Sequence, residues 1–272
     1  MDGAARRAYK FFNDCVSFDT TYMTNIYKMP CAPFVGINSH GQSIQFGCGF
    51  LRNELTTSFE WLFETFLEAM GGVKPVNIIT DQDFTMRNGI DKVFHGTRHI
   101  NCRWHIMKKA TEKLGSFLAR RPELSADFDD CLNNSLSIAE FEQKWNDMTN
   151  KHGVTNHEQL DHLFTNRSFW IPAYFMTDFY PFLQSTQRSE GFNAVLKKFV
   201  NPQNSIYDFV QQYAAIQEKI MKAEDKQEAD TLNTTMRSWC YHPIEIQMAK
   251  VYTRNIYLLF QREMQSTMSY NC

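Results

Sequence analysis

The stretch NIITDQDFTMRNGIDKVFHGTRHINCRWH (77–105) alternates between two kinds of hydrophobic pattern. VNIIT (76–80) is a short, continuous apolar run that predicts a buried strand, and TRHIN (97–101) predicts another. The segment between them, about 84–93, has the spacing of a helix. A strand, a helix and a second strand in this order indicate a parallel β-α-β unit. We therefore expect an α/β fold that contains parallel strands.

Three further β-type runs precede this stretch. CVSFD (15–19) is the first, and APFVGIN (32–38) with QSIQFGCGFL (42–51) predicts a hairpin because a short glycine-containing loop joins them. TTSFEWLFETFLEAMGG (56–72) has apolar residues three and four positions apart, which predicts an amphipathic helix with a capping box at its start. The order up to residue 105 is thus β-β-β-α-β-α-β, a hairpin unit that leads into the parallel units.

The rest of the chain has a helical pattern. The segment from about 106 to 183 is more polar and contains no clear strand. Three more helices are predicted near 187–200, 206–226 and 243–264. Ser205 begins the second of these with a Ser-x-x-Asp capping pattern.

The composition limits the classes of protein. The chain has 272 residues, of which 43% are hydrophobic, enough for one large domain or two small ones. A formal net charge of −2 gives no overall basic field for nucleic acid, so any such contact must be a local patch. Seven scattered cysteines indicate a reduced, intracellular protein. No window approaches the roughly 20 apolar residues of a membrane span, so no membrane partner is expected.

Two aspartates stand at the tips of predicted strands. Asp19 ends the first strand and Asp81 follows the strand at 76–80. Ligands gather at this edge of open α/β sheets, and a cation between two carboxylates would relieve their repulsion. Mg²⁺ suits such a site because it prefers oxygen ligands. The alternative is that these aspartates only end strands and open turns, which is common. Asp83 is separated from them because it fits the N-cap of the following helix.

Cys102 and His105 form a Cys-x-x-His pair near the start of a helix. Their spacing of three places them on one helix face. A structural zinc site needs four ligands, and no matching Cys/His pair lies nearby in the sequence. We therefore expect no structural zinc, and we interpret the pair as a packed cysteine and a hydrogen-bonded histidine.

Four segments together resemble one known family. They are VSFDTTYMTNIYKMPCAPFVGIN, ITDQDFTMRNGIDKVF, TRHINCRWHI and TQRSEGFNAVLKKFVNPQNSI. In this order they resemble the transposase domain of plant Mutator-like elements. They look closest to its domesticated branch, the far-red-impaired-response and far-red-elongated-hypocotyl family of light-signalling transcription regulators. The resemblance extends from about residue 8 to 263.

The resemblance implies a ribonuclease-H-like core that a large helical insertion interrupts. The first part of that core would be 1–105, the insertion 106–183, and 184–272 a C-terminal helical part that completes the core. In an active transposase, an Asp-Asp-Glu triad would bind Mg²⁺ ions at the DNA phosphodiester. The family motifs assign the triad to three residues of this chain, namely Asp19, Asp81 and Glu190.

We expect three further residues to support the triad. These are Cys102, His105 and Asn193. One pattern opposes a catalytic role, because Glu190 lies nearly opposite the apolar stripe of its helix, with Asn193 and Lys197 on the same side. Periodicity alone predicts that this side is solvated. It would be catalytic if it lined a cleft between the core and the insertion.

Clustered basic residues are few and lie in or beside the insertion. They are Lys108, Lys109, Arg120, Arg121, Lys197 and Lys198. If Lys108, Lys109, Lys197 and Lys198 contact DNA, binding should be weak, indifferent to sequence and strongly weakened by salt. The alternative is that these are ordinary solvated charges of helix surfaces, which are common.

Three functions follow from the resemblance. The leading one is a nuclear regulator of transcription of the light-signalling type, which acts without transposition through other transcription regulators, as a homo- or hetero-dimer. The alternative is a Mg²⁺-dependent transposase that cuts and joins DNA strands, and the third is a scaffold with no remaining activity. Longer family members have flanking zinc modules that this sequence does not contain. We therefore expect it to correspond to the central domain alone, with weak or indirect DNA binding.

Overall fold

The structure is a computed structural model. It describes residues 2–21, 25–180, 187–199, 201 and 203–269. The side chains of residues 187–190 and 269 lie outside this description. Within the described part of the chain, no helix has the length and hydropathy that a membrane crossing requires.

Five strands form one mixed sheet, and many helices accompany it. The strands are β1 (Cys15–Phe18), β2 (Cys31–Ile37), β3 (Ser43–Phe50), β4 (Asn77–Thr80) and β5 (Arg98–Asn101). Their order in the sheet is β3-β2-β1-β4-β5. β2 and β3 pair antiparallel, whereas β1, β4 and β5 pair parallel. The predicted α/β class, with a hairpin that precedes parallel strands, is confirmed.

The helices agree in large part with the predicted segments. They are α1 (Gly3–Phe12), α2 (Thr56–Ala69), α3 (Phe84–Val93), α4 (Arg103–Ala119), α5 (Pro122–Asn133), α6 (Ile138–Lys151), α7 (Glu158–Thr165), α8 (Gln187–Phe199), α9 (Ile206–Asn233), α10 (Pro243–Val251) and α11 (Arg254–Ser269). Two short 3₁₀ turns, Arg167–Phe169 and Pro172–Tyr174, follow α7.

The chain divides into two compact units. The first contains α1, the β2–β3 hairpin and α8 to α11, and the second contains β1, β4, β5 and α2 to α7. In the first unit, Val35 of β2, Leu196 of α8 and Phe209 of α9 share a hydrophobic core. In the second, a separate core extends from Ile106 to Ala173 among α4 to α7. That core lies inside 106–183, the segment predicted to be a helical insertion.

Helices α2 and α3 of the second unit pack closely around phenylalanine rings. Phe18 of β1 contacts Phe63 of α2 edge-on at 5.1 Å between ring centroids. Phe63 in turn lies 5.1 Å from the ring of Phe94, at the end of α3. Gly89 of α3 permits this approach, because a Cβ atom there would lie 3.1 Å from Phe59 Cβ and 3.2 Å from Phe63 Cε2.

We expect Gly89→Ala to lower the free energy of unfolding by about 0.5–2 kcal/mol, because overpacking of the α2–α3 contact outweighs the gain that alanine brings to a helix. Gly115→Ala in α4 is the matched control, since its Cβ would meet Thr111 Cγ2 at an ordinary 3.7 Å. That variant should be more stable by about 0.5–1 kcal/mol, because alanine favours helix. Urea unfolding measures both, and equal stability of Gly89→Ala and the parent chain would contradict the prediction.

One predicted helix start was wrong. The residue before α2 is Leu55, and no side-chain hydrogen bond caps the helix. The predicted capping box of Thr57 and Glu60 is therefore not formed. The carboxylate of Glu60 instead accepts a hydrogen bond from Lys92 Nζ of α3 at 2.6 Å, because this face of α2 points toward α3.

One predicted helix is divided in two. The segment 243–264 was expected as a single helix, but α10 ends at Val251 and α11 begins at Arg254. Tyr252 between them has extended backbone, with φ −86° and ψ 148°. The hydroxyl of Thr253 donates a hydrogen bond to the carbonyl of Ser39 at 2.7 Å, which fixes the break. The preceding helix, α9, is longer than expected.

Candidate metal centre

Asp19 and Asp81 follow neighbouring parallel strands. Asp19 comes directly after β1, and Asp81 directly after β4. Ser17 pairs with Ile79 in the register of these strands, so their carboxyl ends lie side by side at one edge of the sheet. Both aspartates are half-buried. Two of the predicted triad residues thus stand at the edge where open α/β sheets bind ligands.

Asp81 also lies beside both residues of the Cys-x-x-His pair. Cys102 follows β5 and precedes α4, and its N–H donates a hydrogen bond to Thr80 O at 2.7 Å. His105, in the first turn of α4, places Nδ1 2.5 Å from Asp81 Oδ1. One ligand-type atom from each of Asp81, Cys102 and His105 lies within 4.8 Å of the others. The two residues interpreted as supports therefore lie against one predicted catalytic carboxylate.

Asp83 has the separate role that the sequence predicts. It precedes α3 with extended backbone, and its Oδ1 accepts a hydrogen bond from Met86 N at 2.7 Å. The N-cap interpretation is confirmed, so the two neighbouring aspartates differ in role. Asp83 begins the helix, and Asp81 is left to face the Cys-x-x-His pair.

A buried histidine supports the strand end that carries Asp81. His99 of β5 is buried, and its Nε2 lies 2.8 Å from Thr80 Oγ1. The Thr80 hydroxyl donates to the carbonyl of Asp81 at 2.8 Å, so the His99 ring must be the donor to Thr80. Burial, together with the charge of Arg87, lowers the pKa of His99 to about 3. The role of His99 is not visible in the sequence, because a single histidine inside a strand pattern does not reveal its partner.

The third predicted triad residue lies on α8. Glu190 belongs to that helix, but its side chain is outside the part of the chain that the structure describes. Asn193 is buried although periodicity predicts a solvated side, whereas Lys197 on the same side is exposed. The solvated-side prediction is thus wrong for Asn193. Convergence of Glu190 with the two aspartates stays a prediction.

The aspartate pair fits the ligand preference of Mg²⁺. Asp19 and Asp81 offer oxygen atoms from adjacent strand ends, and one or two carboxylates are the usual protein share of a Mg²⁺ site. Asp19 and Asp81 would hold the ion, with Glu190 as the third predicted ligand. The thiol of Cys102 and the imidazole of His105 are not ligands that Mg²⁺ prefers.

The predicted DNA-contacting lysines are exposed in both units. Lys108 and Lys109 lie on α4, and Lys197 and Lys198 lie on α8. Lys108 Nζ is 5.3 Å from the ring centroid of Trp104. Their exposure is compatible with DNA contact and equally with ordinary solvated helix charges.

A cavity of about 400 Å³ adjoins α4 within the second unit. Its lining includes the apolar side chains of Leu114 and Trp170 and the polar side chains of Gln82, Lys109 and Lys113. Lys109, predicted to contact DNA, is thus exposed and also lines a cavity.

The chain carries a transposase-type domain. Residues 15–109 match the family described as MULE transposase domain. This match includes β1 to β5 and the candidate metal centre, from Asp19 to His105. The resemblance to Mutator-like transposase domains that the sequence motifs indicate is confirmed.

The relatives are plant proteins. The chain is 37% identical over 269 residues to Protein FAR1-RELATED SEQUENCE 5 of Arabidopsis thaliana, which covers 99% of this chain. It is 33% identical over 262 residues, or 96% of this chain, to Protein FAR-RED IMPAIRED RESPONSE 1 of the same plant. The chain spans 34% and 32% of the lengths of these two proteins, about a third of each. In sequence it is thus similar, over nearly its whole length, to one part of each of these plant proteins.

Proposed function

We propose that the chain is a regulatory domain of a nuclear protein that controls transcription, of the light-signalling type, and that it acts without transposition. Its similarity to Protein FAR-RED IMPAIRED RESPONSE 1 supports this assignment. Other transcription regulators would be its partners, in a homo- or hetero-dimer. Contact with DNA would be weak or indirect, through Lys108, Lys109, Lys197 and Lys198.

The proposed core is ribonuclease-H-like. The mixed sheet with a hairpin followed by parallel strands supports this fold. In the proposed site Asp19, Asp81 and Glu190 are the remains of a transposase triad. Mg²⁺, when bound there, would supply a Lewis acid that stabilises charge at a phosphodiester. The chain's own part is to hold two carboxylates at adjacent strand ends.

The proposal that transposition is not the function rests on the contact between His105 and Asp81. A carboxylate whose Oδ1 is 2.5 Å from an imidazole nitrogen is already engaged, with a cysteine beside it. Among the described residues, the thiol and the imidazole beside Asp81 are not ligands that Mg²⁺ prefers. Regulation through protein partners needs no free carboxylate at this edge, so it agrees better with the geometry.

The experiment separates association from catalysis with one variant. The chain is fused to an unrelated DNA-binding module and tested on a reporter gene in plant protoplasts, as the parent and as Asp81→Asn. In parallel, the purified chain is tested for nicking of labelled DNA with Mg²⁺ or Mn²⁺. We expect a change of reporter expression of at least about threefold that Asp81→Asn retains, and no nicking.

Two outcomes would overturn the proposal. Metal-dependent nicking that Asp81→Asn abolishes would favour the transposase alternative. An unchanged reporter, with the fusion present in the nucleus, would leave only a scaffold role. Asp83→Asn is the control for the nicking assay, because Asp83 caps α3 and does not face the Cys-x-x-His pair.

A further inference from the structure

Three side chains of different chemistry converge at the ends of β4 and β5. Thr80 pairs with Asn101 in the parallel register, so the next residues, Asp81 and Cys102, leave the sheet side by side. His105 reaches them from the first turn of α4. One ligand atom from each of these three described residues lies within 4.8 Å of the other two.

We propose that Asp81, Cys102 and His105 form a three-ligand site for a divalent ion of borderline softness, Zn²⁺ or Co²⁺. Thiolate and imidazole select such ions over Mg²⁺, which prefers oxygen. The Asp81 carboxylate adds a third ligand to the Cys-x-x-His pair. This site differs from a closed structural zinc site with four protein ligands, because the protein supplies three ligands and water supplies the fourth.

The distances are within reach of a bound ion. Bond lengths of about 2.0–2.3 Å around a tetrahedral ion place ligand atoms roughly 3.3–3.8 Å apart. The Nδ1–Oδ1 distance of 2.5 Å would have to lengthen, and the widest separation, at most 4.8 Å, would shorten. The side chains of His105 and Asp81 are 21% and 35% exposed, so solvent and an incoming ion reach both.

The buried cysteine is the anchor of the site. Cys102 is 0% exposed, and its N–H bond to Thr80 O fixes the backbone from which the thiol projects. Asp81 and His105 are the side that solvent reaches, so the fourth, open position lies there. Binding would release the thiol proton, because the thiolate is the ligand.

The proposed ion site shares Asp81 with the proposed triad. An ion held by Cys102 and His105 would also hold the Asp81 carboxylate and compete with Mg²⁺ for it. This consequence rests on the proposed function, whereas uptake of the ion does not. A bound Zn²⁺ or Co²⁺ ion would thus prevent Mg²⁺ from using the Asp81 carboxylate.

Cobalt binding to the full chain tests the site without any assay of activity. Chelator-treated protein is titrated with Co²⁺, and absorption is recorded. We expect one equivalent to bind, with a thiolate-to-cobalt charge-transfer band and the visible bands of a tetrahedral ion. Zn²⁺ should displace it, and a large excess of Mg²⁺ should not.

The variants locate the bound ion. Cys102→Ser should lose the charge-transfer band, and His105→Gln should weaken Co²⁺ binding at least about tenfold while it retains that band. His105 is partly exposed, so its variant tests the site even if Cys102→Ser fails to fold. Cys48→Ser is the matched control, because Cys48 Sγ lies 2.9 Å from Cys31 Sγ and this pair is another thiol site.

The proposal is overturned if no Co²⁺ binds in stoichiometric amount. It is equally overturned if Cys48→Ser abolishes the band, since the ion would then lie at the Cys31–Cys48 pair. Displacement of Co²⁺ by Mg²⁺ would assign the site to an oxygen-ligand ion. Nicking activity can be present or absent in each case, so failure of the proposed function is distinguishable from failure of this inference.

Discussion

The chain should lose stability steeply as the pH falls below the ordinary histidine range, and His99 should cause much of the loss. Its pKa is lowered to about 3 by burial and by Arg87, from an ordinary value of 6.5. The folded state therefore keeps this ring neutral, whereas the unfolded state binds a proton below 6.5. Between these values, each pH unit should cost about 1.4 kcal/mol of unfolding free energy.

His99→Gln isolates this contribution. The glutamine amide can still donate to Thr80 Oγ1, but it does not titrate. Over the range from about pH 6 to pH 4, the parent chain should lose about 2–3 kcal/mol more stability than the variant. His95→Gln is the matched control, because His95 is an exposed histidine of the same unit. Its pH profile should follow that of the parent.

Urea unfolding followed by tryptophan fluorescence suits this measurement. Most of the five tryptophans lie in the unit that contains His99, namely Trp61, Trp104, Trp145 and Trp170. A parent and a His99→Gln variant with the same slope of stability against pH would show that the ring is not held neutral. The support of the Asp81 strand end by His99 would then need another explanation.

The local features of the site were predictable from the sequence. The strand, helix and strand between 76 and 101 follow from apolar spacing over a few residues each. The cap at Asp83 follows from its position before the helix, since an N-cap bonds to an N–H only three residues away. Such features depend on nearest neighbours in the chain and need no knowledge of the tertiary fold.

The grouping of Asp81 with Cys102 and His105 could not be predicted from spacing alone. It depends on the register in which β4 and β5 pair, because that register brings residues about 20 positions apart to the same height. The sequence pair Cys-x-x-His therefore appeared to lack further ligands. The parallel pairing supplies one, and it is the carboxylate that the family motif assigns to catalysis.

The break between α10 and α11 depends on a still more distant contact. Apolar spacing continues through this region, so a single helix was the natural prediction. The hydroxyl of Thr253 donates to Ser39, which is 214 positions away in the chain. A bond of that kind is visible only once the hairpin loop and the C-terminal helices are placed. Local propensity cannot anticipate it.

The same C-terminal region holds a fully buried carboxylate. Glu245, in the first turn of α10, is 0% exposed. Its Oε1 accepts from Trp239 N at 2.6 Å and from Gln261 Nε2 at 2.7 Å. Its Oε2 accepts from Cys240 N at 3.0 Å. One side chain thus connects the segment before α10 to α11.

The hydrogen bonds also determine the ionisation of this group. Burial would raise the pKa of Glu245, but the donors on Trp239, Gln261 and Cys240 outweigh burial and lower the pKa to about 2. A carboxylate with a lowered pKa stabilises the fold above its ordinary value of 4.5. That stabilisation is lost as the pH falls from about 4.5 toward 2.

We expect Glu245→Gln to lower the free energy of unfolding by about 2–4 kcal/mol at neutral pH. The amide removes the charge and turns an N–H₂ group toward N–H donors that now bond to a carboxylate oxygen, among them the backbone N–H groups of Trp239 and Cys240. Opening of α10 and α11 should therefore precede unfolding of the rest of the first unit. Amide hydrogen exchange of residues 239–261 measures this opening directly.

The matched control is Glu263→Gln, which removes the same charge from an exposed position of α11. Its stability should stay within about 0.5 kcal/mol of the parent chain. The variant of Glu245 should also lose the stability change between about pH 4.5 and pH 2 that the parent shows. Unchanged hydrogen exchange in Glu245→Gln would mean that the buried charge does not hold α10 against α11. The apolar faces of those two helices would then have to account for their packing, and the carboxylate would be a tolerated cost within it.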